Sequence, residues 1–132
     1  MSKIRRTTKV AVAAAGVALS VAALAPGTAQ AADYNGKCGT GFSAGSVRQI
    51  TGGSVYLARK GDVACAITIR NNPGAYKSMS VWVRASYATN WVSQPGNFTT
   101  YAGPIYSSTY FGCADYGGRI ETSQVTAYEV CW

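Results

Sequence analysis

The sequence changes character at Ala31, and everything after that point is built from residues that favour sheets. Only one leucine, Leu57, remains beyond it, whereas all nine tyrosines, all three tryptophans, all three phenylalanines and thirteen of the fifteen glycines lie there. Val, Ile, Thr and aromatic side chains suit a pleated, half-buried surface. The strong helix formers Leu, Glu and Lys are scarce. Glycines punctuate short apolar segments throughout. This composition predicts an all-β domain.

Residues 1–31 read as a secretory signal peptide. A basic start (Lys3, Arg5, Arg6, Lys9) precedes an uncharged run from Val10 to Ala25, then Pro26-Gly27 and the small-residue site Ala29-Gln30-Ala31. The run is shorter than the roughly 20 residues a spanning helix needs. Cleavage leaves a single domain, residues 32–132, with eight cations against five acids and a net charge of +3. The export reading places the mature chain outside the cell, with no membrane insertion once the signal is gone.

Strand-length segments follow one another at short intervals. Ser46–Ile50 closes at Thr51-Gly52-Gly53. Ser54–Arg59 and Val63–Asn71 make a hairpin through Lys60-Gly61-Asp62, with Val63, Cys65, Ile67 and Ile69 on one face. Asn71-Asn72-Pro73-Gly74 reads as a turn. In Ser78–Ser86, Met79, Val81, Val83 and Ala85 alternate with Ser80, Trp82, Arg84 and Ser86. Trp91–Ser93 is followed by an expected turn at Gln94-Pro95-Gly96-Asn97 and by Phe98–Tyr101. Gly103-Pro104 is expected to precede a short Ile105-Tyr106 segment, and Gly117-Gly118 to precede Arg119–Thr122. Val125–Trp132 closes the chain, although both of its alternating sets are partly apolar. Seven or eight such strands imply a compact antiparallel β-sandwich or small barrel.

Four cysteines, Cys38, Cys65, Cys113 and Cys131, permit three pairings. An even number in a small exported domain argues for two disulfides. Cys38–Cys65 with Cys113–Cys131 is favoured because each closes a local loop. The chain-entropy argument gives about 3 to 4 kcal/mol for each. A four-thiolate metal site normally uses close C-x2-C pairs, which are missing, so no metal or other cofactor is expected.

The chain has no histidine, which excludes Ser-His-Asp triads and Cys-His dyads. Nucleophile-elbow signatures are also missing. Of the five acids after Ala31, Asp33 and Asp62 sit at the new terminus and in a turn. Glu121 and Glu129 could approach across a hairpin of residues 113–122 and 125–132 as a carboxylate pair for glycan cleavage. The plainer expectation is that isolated acids pair with a nearby arginine such as Arg119, and that the protein is not an enzyme. The cations are scattered rather than clustered, which argues against nucleic acid as a partner. The aromatic load is the more informative signal. Trp82 lies on the polar side of its strand, and Tyr76, Tyr87, Tyr110 and Tyr116 lie in stretches that read as turns. With Trp91, these six are the candidate ligand-binding residues, able to stack on sugar rings or anchor a protein interface. Burial of Trp82 between layers is the alternative.

Several segments resemble a known family. They are Tyr34-Asn35-Gly36-Lys37-Cys38-Gly39, Gly53–Leu57, Cys65–Asn71, Asn97–Tyr106 and Cys113–Gly118, the last two being the more specific. Over most of residues 33–132 the chain resembles the spore-associated protein A family of filamentous actinobacteria. The resemblance implies secretion and association with spores or aerial growth, and it implies no reaction, cofactor or catalytic residue. The leading expectation is a small secreted, non-enzymatic protein of the spore or cell envelope that binds envelope glycan or protein through aromatic rings. Alternatives are a secreted inhibitor presenting the loops 71–76 or 107–112, and a small glycan hydrolase using Glu121 and Glu129.

Overall fold

The structure, a computed structural model, describes residues 33–132. The signal-peptide reading of residues 1–31 lies outside the described residues. Among the described residues eight strands form: β1 Ser43–Ile50, β2 Gly53–Lys60, β3 Val63–Arg70, β4 Lys77–Ala85, β5 Val92–Phe98, β6 Tyr101–Ser108, β7 Cys113–Ile120 and β8 Ser123–Cys131. They make two four-stranded antiparallel sheets, ordered β1-β2-β3-β6 and β5-β4-β7-β8. The domain is therefore a β-sandwich.

The core lies between the sheets. Val55, Leu57, Ala64, Ala66, Ala102 and Ile105 face Met79, Val81, Val83, Ala114, Tyr116, Ile120 and Ala127. The alternation of β4 places Met79, Val81, Val83 and Ala85 inward, as its sequence predicts. In β3 the larger side chains behave differently. Cys65 belongs to a separate cluster with Cys38 and Ala58, roofed by Tyr34 and Phe42. The Cys65 face thus points away from the other sheet, and the smaller Ala64 and Ala66 enter the sandwich. The segment before β1 folds over this outer face. Tyr34 packs on Tyr56, Phe42 on Tyr106, and the Tyr106 hydroxyl donates to the Cys38 carbonyl at 2.9 Å.

Both favoured disulfides form, Cys38–Cys65 and Cys113–Cys131. The first ties the N-terminal segment to β3. The second joins residues directly opposite in the β7–β8 ladder.

One expected turn and two expected strand boundaries lie inside strands instead. Gln94-Pro95-Gly96-Asn97 runs inside β5, where Pro95 lies opposite Ser80. An edge strand tolerates a residue without an N–H. Gly103-Pro104 lies inside β6, an edge strand of the first sheet. There the two residues oppose Ile67 alone, forming a bulge between the Ala66–Ile105 and Thr68–Ala102 pairs. Gly117-Gly118 lies in mid-β7. A side chain on Gly118 would collide with Thr68 and Val55 across the sandwich, and one on Gly117 would collide with Trp82 and the Val125 carbonyl. These glycines permit close approach and turn nothing.

Candidate functional site

The outer face of the β5-β4-β7-β8 sheet carries an open aromatic groove. Trp82 stands on β4, with Ser93 of β5 opposite on one side and Gly117 of β7 on the other. Its indole crosses Gly117, and Nε1 donates to Thr126 Oγ1 on β8 at 3.1 Å. Two strand spacings are about 10 Å, so only a bare backbone at Gly117 lets the ring lie across to β8. The expected outward Trp82 is what the structure shows, half-buried rather than enclosed. Trp91 stands beside it, just before β5. The Arg84 guanidinium lies 4.2 Å from the centre of the Trp91 ring. Tyr128, 63% exposed, completes the lining with Ser80, Ser93, Pro95 and Thr126 around about 420 Å³. Among the described residues, no carboxylate or ammonium lines this groove. Its polar groups are hydroxyls.

Beside the groove, on the same face of the sheet, sits a buried acid. Asp115 is 2% exposed, and its carboxylate accepts from Arg84 Nε at 2.8 Å, Ser86 Oγ at 2.9 Å and the Glu129 backbone N–H at 2.8 Å. Burial alone would raise its pKa. The bonds from Glu129, Arg84 and Ser86 outweigh that and hold it below the ordinary carboxyl value. Asp115 is thus a structural anchor, fixing the cation that stacks on Trp91. The sequence alone does not pair Asp115 with Arg84; the β4–β7 register sets them directly opposite each other. The expected partner, Arg119, instead donates through its guanidinium to the Glu121 carbonyl and the Ser78 hydroxyl.

Tyr128 was missed because the closing strand changes parity. Ala114 pairs with Val130 and Tyr116 with Ala127, so Asp115 alone opposes Tyr128 and Glu129. This bulge shifts the alternation by one residue. Val125 and Ala127 face the core before it, and Val130 and Trp132 after it. Both alternating sets therefore look half apolar in the sequence. Glu129 sits in the bulge at φ 53°.

The remaining candidates scatter. Tyr116 is not in a turn. It lies in β7, fully buried, where its hydroxyl shares a 2.6 Å hydrogen bond with Ser46 Oγ, and it cannot meet a ligand. Tyr76 lies in the β3–β4 connection, highly exposed and away from the tryptophans. Arg70 secures that connection by donating to the carbonyls of Ala75, Phe98 and Thr99. Tyr87 and Tyr110 form a second group at one end of the sandwich. Their rings stack at 5.7 Å, and Phe111, not singled out from sequence, meets Tyr87 edge-on at 6.1 Å. In the 107–112 stretch proposed as an inhibitory loop, Ser107 and Ser108 end β6, and the loop proper carries Tyr110 and Phe111.

The proposed carboxylate pair does not assemble. Glu121 occupies the β7–β8 turn and pairs with Lys77 at 3.8 Å, while Glu129 lies near the far end of β8. The run of strand between them is roughly 20 Å at 3.3 Å per residue. Glycosidase carboxyls stand about 5 to 10 Å apart.

Among known proteins, the chain is similar to spore-associated protein A of Streptomyces coelicolor, with 36% identity over 127 residues, covering 92% of this chain and 82% of the relative. No family model matches it. No solved structure matches it either.

Proposed function

The chain belongs to the spore-associated protein A family, and from that premise we propose that it is an exported, non-enzymatic protein of the spore surface whose Trp82–Trp91–Tyr128 groove binds envelope glycan. Spore association comes with family membership. The glycan reading rests on one observation: two tryptophans already fixed in position line an open groove whose polar groups are neutral hydroxyls. The C–H face of a sugar ring stacks on an indole, and its hydroxyls exchange hydrogen bonds with Ser80, Ser93 and Thr126. Trp82 and Trp91 lose little side-chain freedom on binding, which favours affinity. The two disulfides support the exported location, since such bonds persist in oxidising compartments.

Sedimentation with isolated spore walls tests the reading. The protein is expected to co-sediment with little dependence on salt, because among the described residues the one charge next to the groove, Arg84, is already paired with Asp115. Trp82→Ala and Tyr128→Ala are expected to weaken retention about tenfold each, as loss of a central aromatic anchor does. Undiminished retention of both variants would overturn the assignment of the groove. Failure of the native protein to co-sediment at any salt concentration would overturn envelope binding itself.

A further inference from the structure

The second aromatic group stands apart from the groove and has a charge that the groove lacks. Tyr87 and Phe111, whose rings are inclined at 79°, form two walls of an open pocket of about 440 Å³. Tyr110 is stacked on Tyr87 at an interplanar angle of 29°. The Cys113–Cys131 disulfide and Glu129 line the same pocket. Phe111 is 80% exposed and Tyr110 75% exposed. Three large rings gathered at the surface mark a contact surface rather than a core.

Glu129 supplies the anion. Among the described residues its carboxylate makes no ion pair, since the ion pairs there are Lys77–Glu121 and Arg84–Asp115. Its backbone adopts a left-handed conformation that costs a non-glycine residue of order 1 kcal/mol. The buried Asp115 carboxylate holds it there through the 2.8 Å bond from the Glu129 N–H. A bulge of this kind redirects a side chain, and here the redirected residue is an acid that lines the same pocket as the two rings.

Ring faces carry negative potential, and a carboxylate adds to it, so the pocket suits a cation. The form of the cation follows from the donor count. A primary ammonium gives up three hydrogen bonds to water and needs three acceptors in return. The acceptors that line the pocket, Ser86 and Glu129, lie to one side of it, whereas ring faces are poor acceptors for N–H donors. An N-methylated ammonium has few or no N–H bonds to replace and presents methyl groups to the rings. The geometry points to a binding site for a quaternary, N-methylated ammonium group, held by Tyr87, Phe111 and Glu129 with Tyr110 buttressing Tyr87. This site is independent of the glycan groove.

Titration of the intact, disulfide-bonded protein with choline, followed by aromatic proton–carbon NMR, tests the inference. Saturable shifts are expected at Tyr87, Tyr110 and Phe111 with a dissociation constant of about 1–10 mM, typical of so small a ligand. The signals of Trp82, Trp91 and Tyr128 should stay in place. The uncharged isostere 3,3-dimethyl-1-butanol should bind about tenfold more weakly. Nα-acetyl-Nε-trimethyl-lysine methylamide, titrated in parallel, shows whether a peptide-borne group is also accepted; binding of either cation supports the site. Glu129→Gln should weaken choline about two- to fivefold, as loss of an exposed charge partner does. Phe111→Ala, in an exposed loop outside the core, should weaken it about fivefold. The inference is overturned if neither cation saturates by about 50 mM, if the isostere binds as well as choline, if either variant keeps native affinity, or if the shifts appear at the tryptophans instead.

Discussion

Replacing Asp115 with Asn removes one negative charge from the point on which both aromatic surfaces depend. The carboxylate is 2% exposed and accepts three bonds of 2.9 Å or less, one of them from Arg84. Asparagine keeps one acceptor oxygen and turns an NH2 group toward a donor. Hydrogen bonds to a charged group contribute about 1.5 to 3 kcal/mol each, but they are not additive when they share one acceptor. Breaking a buried ion pair costs about 3 to 5 kcal/mol. The Arg84 side chain keeps 21% exposure, so part of its charge stays solvated and the lower end applies. The expected loss is about 3 kcal/mol, or a fall in Tm of about 12 to 20 °C for a domain of this size. Urea unfolding with the disulfides intact, followed by tryptophan fluorescence, measures it. The pH dependence provides an independent check. The folded-state pKa of Asp115 lies below its ordinary value of 3.8. Its contribution is therefore complete above that value and is lost as pH falls through the lower, folded-state pKa. The gap between native protein and variant should be full near pH 7 and should shrink as pH falls below the ordinary carboxyl value. A gap under about 1 kcal/mol near pH 7, or one that does not narrow in acid, would refute the assignment of Asp115 as an ionised anchor.

Gly117→Ala is expected to destabilise by about 1 to 3 kcal/mol. The Val125 carbonyl cannot retreat, so the indole of Trp82 must lift, and the near-ultraviolet dichroism of tryptophan should change with the loss of stability. Tyr116→Phe deletes the 2.6 Å bond to Ser46 and should cost about 1 kcal/mol, read from the urea midpoint; a change below about 0.3 kcal/mol would show that this bond adds nothing net. The two disulfides should respond unequally to a mild thiol reductant without denaturant. Cys38 and Cys65 are buried, whereas Cys131 is exposed and Cys113 half-buried, so alkylation and mass analysis should find residues 113 and 131 labelled first. Simultaneous labelling of all four would contradict that order.

The fold class was legible because it depends on averages. Scarce leucine, abundant aromatics and period-two alternation in residues 78–86 survive any error in a single boundary. The disulfide pairing was legible from loop length alone. Glycine and proline misled because the same residue types serve two purposes. At Gly61 the backbone turns with φ 58°, whereas at Gly117 and Gly118 it stays extended and makes room for Trp82, Thr68 and Val55. The side chain that needs the room stands on another strand, so no local pattern separates the cases. Pro95 and Pro104 read as turn residues only until β5 and β6 are known to be sheet edges. The Cys65 face reads as core by its apolarity. That the layer above it is the N-terminal segment, and not the second sheet, depends on where Cys38 is tied.

Which aromatic residues serve recognition also depends on what fixes them, a property that exposure alone does not convey. Tyr76 is 73% exposed, yet its ring packs against no other aromatic among the described residues, so a ligand must supply the whole cost of ordering it. Trp82 exposes less surface, but its indole is seated on Gly117 and bonded to Thr126 before any ligand arrives. Trp91 is covered on one side by a guanidinium that Asp115 already holds. Ordering a rotamer-rich side chain costs about 0.5 to 1.5 kcal/mol, an amount comparable to the gain from one stacked ring. A fixed ring therefore keeps most of that gain and a loose one loses most of it. By that comparison, the buried acid and the bare glycine backbone would matter to the proposed glycan contact as much as the tryptophans they position, although neither lines the groove.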